Sequence, residues 1–275
     1  MEHPDLSDGL AAAAVAVLNA PEPEDKVALS IATAAAWRAG GLDLGPTDSR
    51  PAPPRHPARP ERPILMAPRH MPRRRAAGSL QSRIALLHAV THIELNAIDL
   101  AWDIIARFTA EDLPRAFYDD WVGVAAEEAA HFSLLSRRLA ALGAAYGDLP
   151  AHGGLWEAAE NTADDLAARL AVVPLVLEAR GLDVTPAMIG RLRRAGDEDS
   201  AAALEIIYAE EIGHVAIGVR WFNHVCKRRG DDPQATFQRL VRERYAGALK
   251  PPFNSDARDQ AGLPPGFYEP LAIVS

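Results

Sequence analysis

Two short segments of this 275-residue chain repeat one arrangement of donor atoms: Glu127-Glu128-Ala129-Ala130-His131 and Glu210-Glu211-Ile212-Gly213-His214. In each, a glutamate precedes a histidine by three positions, so on a helix both side chains share a face. A carboxylate oxygen and an imidazole nitrogen at that spacing can reach one metal ion, and mixed O/N ligation suits iron, manganese or zinc. Glu-x-x-His alone is a weak signal in a chain with nine histidines. A further glutamate at matched distance strengthens it. Glu94 precedes Glu128 by 34 residues, and Glu178 precedes Glu211 by 33.

The elements that must position these residues follow from the surrounding pattern. Ser79 is a good N-cap for a helix over Ser79–Phe108, with Leu87, Val90, Glu94, Ala97 and Ala101 on one stripe. Glu111-Asp112-Leu113-Pro114 reads as a turn, and a second helix runs over Pro114–Leu142 to Gly143. A third is expected over Trp156–Ala179, kinked at Pro174. Thr185-Pro186 reads as a fresh helix start reaching Ala195. A fourth long helix covers Asp197–Lys227, and a last amphipathic one Pro233–Tyr245. Residues equidistant from a hairpin turn sit at one height on antiparallel helices. The midpoint of Glu94 and Glu128 is residue 111, inside the first turn. That of Glu178 and Glu211 falls between Arg194 and Ala195, at the second. Two such hairpins with one longer connection make the ferritin-like four-helix bundle. Four glutamates and two histidines around one point are the donor set of its di-iron and di-manganese members.

Glutamates on long helices more often make solvated faces or i,i+4 pairs, and a lone histidine is usually just satisfied. Here the setting is apolar. Glu94 lies between Ile93 and Leu95, Glu178 follows Leu175-Val176-Leu177, and Glu211 is flanked by Ile207, Ile212 and Val215. A charge in such surroundings is costly unless paired or metal-bound. Glu127 and Glu210, four residues before the histidines, could orient an imidazole ring, or be exposed helix charge. Tyr208, one turn before Glu211, reads as a core tyrosine, with a hydrogen bond to a ligand as the alternative. Trp121 reads as core, and His88 and His92 lie off the Glu94 face.

The Glu, Glu-x-x-His, Glu, Glu-x-x-His pattern resembles the ferritin-like di-iron carboxylate superfamily. More narrowly, Leu177-Glu178-Ala179-Arg180-Gly181-Leu182-Asp183, Glu210-Glu211-Ile212-Gly213-His214-Val215 and the tail Pro252-Phe253-Asn254, Ala257-Arg258, Ala261-Gly262 are similar to an uncharacterised bacterial ferritin-like family, a domain of unknown function. That resemblance covers Ser79 to Gly262. It implies a helical bundle with a di-metal site and no particular activity. Pro174 and Gly181 depart from a regular bundle helix and make Glu178 the least regular ligand.

The rest of the chain frames this core. Helices are expected over Ser7–Asn19 and Asp25–Arg38, the latter stopped by Gly40 and Gly41. Nine prolines between Pro46 and Arg75 rule out helix there and give an extended arm. From Arg50 to Arg75 the arm holds eight arginines against Glu61, which leaves it at +7 in a chain of net charge −8. No aromatics interleave those arginines to stack bases, so a strap over an acidic bundle is favoured above an RNA-binding arm. The organisation is thus an N-terminal helical segment (1–45), the arm (46–75), the bundle (76–250) and an extended, loop-like tail (251–275). A single cysteine, Cys226, allows no internal disulfide. The early apolar run Ala11–Leu18 is too short to cross a bilayer and follows acidic residues. A cytoplasmic location without membrane or nucleic-acid partners is expected.

An oxygen-dependent di-iron oxidoreductase is the leading functional expectation. It would hold two iron ions, with manganese, mixed Mn/Fe or zinc as alternatives, and take O2 and a small-molecule substrate that no motif identifies. The competing classes are manganese-catalase-like peroxide disproportionation, iron storage with ferroxidase chemistry, and a helical interaction protein with a structural metal site. A homodimeric assembly stays open.

Overall fold

Helices make up nearly all the regular structure in the computed structural model, which describes residues 8–47, 50–67, 70–71 and 78–273; no strand occurs among them, only two isolated bridges. The protein is all-α, and its residues gather into two compact units, Met1–Trp156 and Glu157–Ser275.

The first unit begins with α1 (Leu10–Asn19) and α2 (Pro23–Arg38). The expected start of α1 at Ser7 lies outside the described residues. Gly9 caps α1 at φ 89°, where a Cβ would lie 2.5 Å from the Gly45 nitrogen, so the returning chain at 43–45 can bond Leu10. Next come α3 (Leu80–Arg107) and α4 (Arg115–Ala141), packed along their length as an antiparallel hairpin, with α1 against α3 and α2 against α4. Ser79 starts α3 as expected: its hydroxyl accepts the Ser82 amide while Ser82 Oγ accepts the Ser79 amide, a capping box. Ile98, Trp102, Ile105, Phe117, Trp121, Val122 and Leu135 fill the core, each worth about 1.5–3 kcal/mol of burial. By length and composition α3 could cross a bilayer, but 78% of its apolar window is buried inside the protein, as in a core helix.

The arm straps the outside of this hairpin. Arg50 donates to Thr109 O, the Trp156 indole to Arg55 O, the Ala58 amide to Leu18 O, Arg107 to Pro54 O and the Met66 amide to Ala151 O. Arg69, Arg73, Arg74 and Arg75, with Pro68 and Pro72, lie outside the described residues.

In the second unit the helix expected over Trp156–Ala179 is broken. α5 (Gly154–Glu160), which straddles the boundary between units, ends in a turn. Asp165 then caps α6 (Leu166–Val172) through the Ala167 amide at 3.0 Å. A short polar side chain that satisfies a free amide favours a new start over helix continuation. Pro174 does more than kink the chain: residues Val173–Glu178 form a π-helical turn, because a proline has no N–H for the regular ladder. α7 (Ala179–Arg194) follows, and Pro186 lies inside it rather than starting a helix. The carbonyl that Pro186 cannot engage, that of Leu182, accepts the Asn254 Nδ2 amide at 3.1 Å instead.

α7 pairs with α8 (Glu198–Arg229), capped by Asp197 and ended by Gly230 in the left-handed region, and α9 (Pro233–Arg244) packs on α6. The tail is not extended. Asn254 caps α10 (Ser255–Gln260), and α11 (Pro265–Tyr268) and one further turn follow.

Candidate metal centre

Within the first unit, α3 and α4 bring together three of the expected residues. Glu94, Glu128 and His131 are 3%, 0% and 1% exposed, and their donor atoms lie within 4.8 Å of one another. His131 Nδ1 sits 3.4 Å from Glu94 Oε2 and 3.4 Å from Glu128 Oε2. The 34-residue spacing does place the two glutamates at one height across the hairpin. Burial pulls the His131 pKa down, but hydrogen bonds and charge from Glu128 and Glu94 outweigh it and hold it up to about 11.

This geometry fits a metal ion. The His131–Glu128 hydrogen bond is long, 3.4 Å against about 2.7–2.9 Å for a tight charge-assisted bond, and the nitrogen lies no closer to Glu94. Donors bonded tetrahedrally at about 2.0–2.2 Å would be about 3.4 Å apart. Two carboxylates and one imidazole also form the hard-to-borderline donor set that iron, manganese and zinc accept. The triad could hold a metal ion.

The second unit carries the repeated set in looser form. Glu211 and His214 lie on α8, with His214 Nδ1 3.6 Å from Glu211 Oε1; the histidine is buried and the Glu211 side chain 14% exposed. Glu178 is the last residue of the π turn and half-buried. Glu127 and Glu210 are exposed. Tyr208 is half-buried, and its hydroxyl accepts Asn254 Nδ2 at 2.9 Å. Trp121 is core.

Sequence reading missed two buried ion networks. In the first unit Lys26 Nζ, fully buried, lies 2.7 Å from Asp99 Oδ1, and Arg59 lies 3.1 Å from Asp99 Oδ2. The signal was Asp99 and Asp103 in an otherwise apolar stretch of α3. In the second unit Arg258 grips Asp183 with contacts of 2.9 and 2.7 Å and stacks over Phe253 and Tyr268. This clamp joins the Glu178–Asp183 segment to the Phe253–Arg258 tail, two stretches noticed in the sequence without their connection.

Across residues 19–269 the chain matches the family described as Protein of unknown function (DUF455), and it belongs to that family. An uncharacterized protein of Haemophilus influenzae is 45% identical over 209 residues, 74% of this chain and 72% of the relative. No solved structure matches. The matched region includes all six expected ligands and both halves of the Asp183–Arg258 clamp.

Proposed function

We propose that this protein is a ferritin-like dinuclear metal protein, iron being the leading metal, and that it acts as an oxygen-dependent oxidoreductase on a small-molecule substrate in the cytoplasm. The observation that carries the reading is the buried triad of Glu94, Glu128 and His131, whose donors are spaced for coordination and lie on two regular helices. The matched spacing of Glu178, Glu211 and His214 supports a second set of donors. Four glutamates would balance the charge of two divalent ions, which offsets the cost of burying Glu94 and Glu128. Ferrous iron held by Glu94, Glu128 and His131 would supply redox chemistry toward O2. The chain's own share is to hold the donors on rigid helices and to keep bulk water from Glu94, Glu128 and His131. The arm is assigned as a strap, in keeping with its hydrogen bonds to α3 and to the loop at Ala151.

Loading with Fe(II) without oxygen, followed by metal analysis, should find about two ions per chain. Admission of O2 should then consume oxygen. A maximum of one ion, or none, overturns the dinuclear reading; two ions without oxygen uptake overturn the oxidoreductase one.

A further inference from the structure

A second site lies in the first unit, where the arm passes over α3. Pro60, Pro63, Ile64 and Leu65 wall a cavity of about 320 Å³, and Arg59, Glu61, His92 and Tyr146 complete its lining. That volume is at the lower end for small-molecule sites. His92 and Glu94 are two positions apart on α3, about 200° around the helix, so the cavity is on the face of α3 turned away from the metal triad.

The buried ion group behind Arg59 carries excess positive charge. Lys26 Nζ donates to Val17 O at 3.0 Å and Leu18 O at 3.2 Å as well as to Asp99 Oδ1. Burial lowers its pKa, and Asp99 acts against that shift. Three acceptors around one nitrogen use three N–H bonds, which only the ammonium form has. Lys26 and Arg59 therefore share the single carboxylate of Asp99. The next acid on α3, Asp103, is engaged by Arg107 at 2.6 Å. Glu61 is exposed, where solvent screens it.

The neighbouring groups are fixed by hydrogen bonds. His92 Nε2 lies 3.2 Å from His152 O and Nδ1 lies 2.8 Å from the Tyr146 hydroxyl. Asn96 Nδ2 also lies 3.2 Å from His92 Nε2, so three partners hold the ring in place. Arg59 is the guanidinium in the cavity lining, held by Asp99 and by Asn96 Oδ1 at 2.7 Å, and its side chain is 21% exposed.

We propose that this cavity binds a small organic carboxylate, with the charged end on Arg59 and the apolar body against Pro60, Pro63, Ile64 and Leu65. None of the cavity's lining residues belongs to the Glu94, Glu128 and His131 triad. Isothermal titration of the whole protein with hexanoate, 1-hexanol and inorganic phosphate tests it. Hexanoate should bind at least about tenfold more tightly than either of the others, because hexanol lacks the charge and phosphate lacks the apolar body. Ile64 is 65% exposed, so Ile64→Glu should leave the melting temperature unchanged. By placing a like charge at the wall it should weaken hexanoate binding about tenfold or more. Arg59→Gln should do the same, and Ile64→Glu keeps the test valid if that variant fails to fold. Glu128→Gln should leave hexanoate binding intact. The proposal is overturned if hexanol or phosphate matches hexanoate, if Ile64→Glu binds as wild type, or if Glu128→Gln abolishes binding, which would show the carboxylate at the metal.

Discussion

The two hairpins carry the same donor spacing on different backbones. In the first, Glu94 lies in an unbroken 28-residue helix, and its side chain and that of Glu128 are 4% and 1% exposed. In the second, Glu178 ends a π turn, and both it and Glu211 are only half-buried. Spacing along the sequence sets height across a hairpin; backbone regularity and burial set how firmly the donors are held there. On the proposed metal reading the first set would retain an ion firmly, since a regular helix and full desolvation fix its side chains. The second leaves its carboxylates within reach of water, where on the same reading coordination would be looser.

The strongest way to break the first unit is through its buried ions. Asp99→Ala would leave Lys26 and Arg59 without their shared counter-charge. Removing one partner of a buried pair costs about 3–5 kcal/mol, and urea unfolding should show a loss of that size. Adding Lys26→Met to Asp99→Ala should restore part of it, because one uncompensated charge is removed. A loss under about 1 kcal/mol would mean that solvent already reaches the cluster.

Metal dependence separates the two donor sets next. At a hundredfold excess over its dissociation constant, a metal that binds only the folded chain adds about 2.7 kcal/mol. Glu128→Gln removes a fully buried donor and should abolish most of that gain, whereas Glu178→Gln should keep a larger part of it. Thermal melts with and without Mn(II), paired with metal analysis, give the comparison. Equal losses in the two variants would show that the half-buried donor matters as much as the buried one, and no shift in wild type would remove both from the ligand set.

These contrasts also mark how far the sequence could be read. The first hairpin was legible because each of its signals was local: the Ser79 cap, the apolar stripe through Leu87 and Val90, and the turn before Pro114. The second was legible only in its α8 half. Pro174 and Pro186 each suggested a simple outcome, a kink and a new start. The actual result depends on partners far along the chain, such as Asn254 at the Leu182 carbonyl. The Asp183–Arg258 clamp was visible as two unusual stretches, yet 75 residues separate its partners, and no local rule pairs them. The buried position of Lys26 was equally out of reach, since a lysine near a helix start reads as surface.

The smallest effect tests how the second backbone is held, and it compares two glycines of one helix. Gly213 on α8 is exposed, and a Cβ there would meet nothing within 4 Å. Gly213→Ala should therefore stabilise the protein by about 0.5–1 kcal/mol, the usual gain of replacing an interior helical glycine. Gly218, five residues on, faces the π turn. A Cβ there would lie 2.5 Å from Pro174 Cβ and 2.9 Å from Leu175 Cδ1. Both neighbours are hard to move, because the pyrrolidine ring is rigid and Leu175 is fully buried. The same substitution should then reverse sign and cost about 1–3 kcal/mol by overpacking. Because the displaced residues lie three and four positions before Glu178, Gly218→Ala should also weaken metal retention, while Gly213→Ala should not. Urea unfolding and metal analysis of both variants read the two effects separately. If the two alanines stabilise alike, the close approach of α8 to the π turn is not what fixes that segment, and Glu178 owes its position to the Asp183–Arg258 clamp alone.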